Sequence, residues 1–334
     1  MDESGFTAYL KERRTDDAQI ERALALAREF DAVLTSRGTD TAHAGNDDAS
    51  AFADKLLAEG RDDETAILSL ARYARFTRND EAHVAFLALL DGGEVIGNLR
   101  RLINERAGEE AERCVFDGLN MPTWGTGSRE KARLMRAVME RAQALVPPDT
   151  LRDILSGCLH DLPDTYFLPL RDKLRQAESF EAFVHQRRTK FMAEMEEHHR
   201  SGTLFYNQKI TDAVLDYLRD HEEASVGKYT DGILRVTKIP YMADEWLKET
   251  DPVRKRYLYC HCPWARESIL GDPELPPVSA EFCRCSMGFS KKPYEVALGC
   301  RLEGEIVQTV LNGGEVCEFA IRIPEDKCGT KGDD

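Results

Sequence analysis

The chain has 334 residues, with 45 Lys and Arg against 60 Asp and Glu, for a formal net charge of −15. That balance argues against nonspecific nucleic-acid binding, which needs clustered positive charge to neutralise phosphates. No run approaches the roughly 18 consecutive apolar residues of a membrane span, and the opening MDESGFTAYLKERRTDD has no apolar signal core, so a cytoplasmic protein of two or three domains is expected.

From Phe6 to about Asn104 apolar residues recur three and four apart, as in Ile20, Ala23, Leu24, Ala27 and Phe30, and again in Ala66, Ile67, Leu70 and Ala71. Separators such as SRGTD and GRDD cut the pattern into ordinary helices, so residues 1–107 are predicted to be a helical bundle. The succession FTAYLKER, FDAVL, FADKLLAEG, ILSLARYARF resembles the core-binding module of tyrosine recombinases over residues ~5–92. That module clamps DNA, whereas residues 1–100 here carry 12 Lys and Arg against 20 Asp and Glu. An interaction module rather than a DNA clamp, suited to homo-oligomer formation through these helices, is the expectation.

Residues 108–200 continue helically. A helix is predicted from Ser128 to Ala144, stopped by Pro147 and Pro148, and another in SFEAFVHQRRTKFMAEMEEHH. Its closing His198 and His199 are adjacent, about 100° apart on a helix, and read as a solvated helix end rather than a metal pair. After Thr203 one more helix, Ile210 to Leu218, precedes alternating runs: ILRVTKIPY, KRYLYCHC, YEVALGCRLEGEIVQTVLNGG and EVCEFAIRIP. These predict strands, with Asn312-Gly313-Gly314 as a hairpin turn. The fold class is therefore α+β overall: an all-α N-terminal half and a C-terminal antiparallel sheet packed with helices, residues 201–328.

Seven of the nine cysteines fall in the last 75 residues. In a reducing compartment such a cluster reads as metal binding or thiol chemistry before a disulfide framework. Two Cys-X-Cys pairs, Cys260-His261-Cys262 and Cys283-Arg284-Cys285, flank a proline-stiffened loop, and four thiolates on two short arms suit a tetrahedral zinc site. On extended strands each pair would put both sulfurs on one face. Buried reduced cysteines and a redox dithiol are the alternatives. Fewer than four sulfur ligands would leave an open position, where His261 and Glu267 could serve as ligand or base and Arg266 or Arg284 could clamp an anion. Arg266 and Glu267 read equally well as a surface ion pair. Cys300 and Cys317 lie in separate strand-like runs, His160 reads as a helix-end residue near a turn, and Cys328 reads as a loose terminal thiol.

The segments VTKIPY, CHCPWARESI, FCRCSMGFSKKPYEV and VLNGGEVCEFAIRIP are similar to those of an uncharacterised prokaryotic family, over residues 108–324. A wider likeness, carried by Gly314, Cys317 and Phe319, is to a group that includes 4-vinyl reductase-type domains, L-2-amino-thiazoline-4-carboxylic acid hydrolase-like proteins, haem-nitric-oxide-binding domains and TRAPP-type subunits. The resemblance implies a pocket between helices and sheet for a small-molecule ligand. Together with Trp264, the residues His261, Arg266, Glu267, Arg284 and Cys317 are then the candidate ligand-binding set. The functional expectation is a small-molecule-binding protein with a zinc site, responsive to ligand or metal. The alternative is a hydrolase or lyase of a small sulfur- or nitrogen-containing compound, using a cysteine thiolate or open zinc.

Overall fold

The computed structural model describes residues 1–160 and 162–325. It divides into two compact units: Met1–Gly93 with Asn120–Lys131, and Glu94–Leu119 with the chain from Ala132 onward.

The first unit is helical: α1 (Glu3–Glu12), α2 (Asp17–Ser36), α3 (Asn46–Ala58), α4 (Glu64–Phe76) and α5 (Asp80–Leu90). The sequence marks the starts. Asp2, Asp16, Asp63 and Asn79 each accept the backbone N–H three residues on, satisfying a donor the helix cannot. The apolar faces meet in a core around Phe6, Phe30, Phe52 and Phe86. Asn79 is buried yet fully used, donating to the carbonyls of Thr41 and Ala44 at 2.7 Å while capping α5. Buried Asp62 draws in the later segment by accepting the Gly125 N–H at 2.8 Å.

The second unit holds α6 (Gly93–Ala107, from Glu94), α7 (Glu109–Phe116), α8 (Ser128–Leu145, from Ala132), α9 (Pro148–Leu155), α10 (Asp164–Gln176), α11 (Phe180–Ser201), α12 (Asp212–Asp220), α13 (Ala243–Lys248), α14 (Pro252–Tyr259) and α15 (Arg284–Leu298). Its sheet consists of β1 (Lys228–Thr230), β2 (Ile233–Thr237), β3 (Gly304–Gln308) and β4 (Glu318–Arg322), in the antiparallel order β1–β2–β4–β3. The register pairs Leu234 with Ile321 and Val236 with Phe319, so the alternation of apolar residues puts all four into one core. The α+β class expected from the sequence is what the chain adopts. The helices of 108–200 do not stand apart: those within the second unit share cores with residues from the C-terminal third.

Three strand expectations are corrected. KRYLY forms α14, a helix opened by Asp251 and Pro252, and YEVAL is the last turn and a half of α15. The Cys-X-Cys pairs therefore sit at helix boundaries rather than on extended strands. Cys300 lies in the bend after α15, and only Cys317 adjoins a strand. The β3–β4 hairpin exists, but its connection is longer than a tight turn and contains a short 3₁₀ turn, Val310–Asn312, ended by Gly313 at φ +83°. Short-period apolar alternation fits a strand as readily as a short helix, and a proline at the first helical position settles KRYLY. Buried Lys291 locks α15 to the start of the hairpin, donating to Glu295 at 2.8 Å and to the Leu302 carbonyl at 2.9 Å.

Candidate thiol site

Cys260 is the C-cap of α14, and the chain then turns tightly, the Ala265 and Arg266 N–H groups both donating to the Cys262 carbonyl. Cys283 ends the 3₁₀ turn Ala280–Cys283 and caps α15. Cys317 immediately precedes β4. These separate segments bring Cys260, Cys262, Cys283 and Cys317 close enough that Cys262, Cys283 and Cys317 are each affected electrostatically by others of the set, Cys262 by Cys285 as well. Cys260 and Cys317 are buried, and although Cys262 and Cys283 keep some residue surface, their sulfurs are enclosed.

Each sulfur also has a protein donor near enough to lower its pKa. The Cys262 N–H serves Cys260, the Trp264 N–H serves Cys262, the Thr309 hydroxyl serves Cys283 and the Val310 N–H serves Cys317. Donors aimed at sulfur favour the thiolate. Loss of water opposes them and wins: Cys260 is raised, Cys262 and Cys283 are raised well above the usual thiol range, and Cys317 is pushed up to about 12. Two cations face the group. Lys238 acts on Cys260, Cys262 and Cys317, and Arg266 acts on Cys260.

Arg266 is not half of a surface ion pair. Its guanidinium is buried between the rings of Tyr241 and Tyr257, 4.5 and 5.3 Å from their centres, and its Nε has no hydrogen-bond partner. Glu267 instead accepts from the Tyr257 hydroxyl at 3.0 Å. His261 bonds through Nε2 to the Ile239 carbonyl, so Nε2 carries the proton and Nδ1 keeps its lone pair. Burial, reinforced by Lys238, pushes its pKa down to about 3. Trp264 is 1% exposed and belongs to the apolar core.

Cys285 acts on Cys262 and is acted on by Lys238, but its nearest partners lie on another segment. It accepts the Leu159 N–H, lies near Cys158 and is pushed up to about 12, first by burial. The approach depends on Gly288, one helical turn further along α15, where a Cβ would stand 2.6 Å from the Cys158 nitrogen. In the same turn His160 Nδ1 pairs with Glu94 at 2.6 Å. His198 and His199 close α11 as expected, bonded to Thr203 and to the Ile210 carbonyl. Cys328 lies outside the described residues.

No protein-family model, curated protein or solved structure matches the chain. What the site can do therefore rests on its own chemistry. Among the described residues no group of three or more His, Cys, Asp or Glu side chains is placed to hold a metal ion. The sulfurs share a neighbourhood without sharing one coordination sphere. Among the described residues no helix is long and apolar enough to cross a membrane. Sequence spacing singled out three of the four grouped thiols as ligands. It gave no sign of Lys238, whose role comes only from the path of the chain after β2.

Proposed function

We propose that the second unit is a binding module that takes up a thiophilic metal ion, zinc, on Cys260, Cys262, Cys283 and Cys317, and that the protein responds to that metal or to a small molecule bound beside it. The supporting observation is that four neighbouring, enclosed sulfurs each have an N–H or O–H donor near enough to favour the thiolate. A buried thiol gains little from such donors, whereas a metal-bound thiolate needs them. Four thiolates around a divalent cation carry a net charge of −2, which Lys238 and Arg266 match. Loading draws the sulfurs together from their described positions and releases their protons.

The thiols are held protonated by burial, the opposite of an activated nucleophile, so the hydrolase or lyase alternative gains no support from them. In this reading the acidic first unit serves as an interaction module.

Cobalt(II) titration of the reduced protein tests the proposal. One equivalent should bind with a thiolate-to-cobalt charge-transfer band, abolished by Cys260→Ser or Cys317→Ser and retained by Cys285→Ser and Cys300→Ser. A folded protein that binds no metal, or that binds equally well without Cys260 and Cys317, would refute it.

A further inference from the structure

A cavity of about 300 Å³ opens between the end of α8, α9 and the start of α15, away from the grouped sulfurs. Its apolar wall is Val146, Pro148 and Leu151. At the other side stands Arg284, whose side chain is 18% exposed and whose Nε donates to Glu281 at 2.6 Å. That bond fixes the plane of the guanidinium while using only Nε. Among the described residues neither Nη group makes a hydrogen bond, and the residue lines the cavity. Arg152 also lines the cavity, its Nη2 paired with Asp149 at 2.7 Å, and Glu281 is the carboxylate paired with Arg284. The result is an oriented guanidinium with two open Nη groups in the same lining as apolar side chains.

We propose that this cavity binds a small organic carboxylate with an apolar tail, its carboxylate held by the two Nη groups of Arg284 and its tail against Val146, Pro148 and Leu151. A guanidinium fork matches the two oxygens of a carboxylate, and pre-orientation through Nε reduces the entropy lost on binding. The volume sits at the small end of ligand pockets, which suits single-ring or short branched acids. Arg284 lies between Cys283 and Cys285, so the same short turn serves both sites. The carboxylate site does not depend on metal binding.

Phenylacetate and 4-methylpentanoate are the probes, with phenylacetamide as the uncharged match, titrated calorimetrically into the full-length reduced protein. At least one acid should bind. Phenylacetamide should bind at least about tenfold more weakly than phenylacetate, the scale of one charge-assisted hydrogen bond. Arg284→Met should weaken the acid by a similar factor. Gln143→Trp, a change at an exposed rim position that fills the mouth, should block it without touching the core. Absence of binding by both acids, equal binding of acid and amide, or affinity untouched by Arg284→Met and Gln143→Trp would each overturn the proposal. Cobalt uptake by the same samples reads the thiol site separately.

Discussion

The two units treat buried polarity in opposite ways. In the first, every buried polar group has been answered: Asn79 makes three hydrogen bonds, Asp62 accepts from Gly125, and Tyr73 donates to Asp31 at 2.8 Å. Its sequence contains no cysteine. In the second, Arg187 Nη1, Thr237 Oγ1, Trp246 Nε1 and Arg266 Nε are buried without a hydrogen-bond partner among the described residues. The same unit carries the enclosed thiols. The unit with unanswered buried donors is the one in which the metal and ligand sites are proposed.

The largest expected effect tests the self-sufficient side. Asn79→Ala removes a cap and strands two carbonyls and an N–H, so urea unfolding should show a loss of about 3 kcal/mol with metal uptake unchanged. A loss below about 1 kcal/mol would mean that the first unit does not rely on that network.

Acid should strike the second unit. His261 is neutral when folded, with its pKa near 3, and protonates near 6.5 when unfolded. The unfolded state therefore binds the extra proton between those values, and stability should fall by about 1.4 kcal/mol per pH unit below pH 6.5. His261→Gln, which keeps a donor for Ile239, should flatten that slope. In alkali the buried thiols act in the reverse sense: the unfolded chain loses their protons first, so the metal-free protein should weaken above about pH 9.

Gly288→Ala sets a methyl group against the backbone of Cys158 and should cost roughly 1–3 kcal/mol by thermal unfolding. The smallest effect belongs to the surface of α6. Glu105→Ala breaks an exposed pair with Arg101 at 2.8 Å and should change stability by less than about 0.5 kcal/mol.

Much of this architecture is legible in the sequence. The helix starts at Ser179 and Thr211, the stop at Pro147 and the pairing of the last strands follow from capping chemistry and alternation. The concentration of cysteines locates the site. Local pattern fails at the thiol arms, because Cys-X-Cys has no preferred backbone of its own. With α14 opened by Asp251 and Pro252, the folded path of the chain aims Cys285 at Leu159 and brings Cys317 beside Cys283. Arg266 shows the same limit, since Arg-Glu in sequence reads as a surface pair and only the folded positions of Tyr241 and Tyr257 bury it.

Sulfur-selective coordination is the measurement closest to the central claim. X-ray absorption at the zinc edge of the loaded protein should show four sulfur neighbours at the usual zinc–thiolate distance of about 2.3 Å, falling to three in Cys317→Ser and remaining four in Cys285→Ser. A first shell of nitrogen and oxygen, or four sulfurs that persist without Cys317, would contradict it.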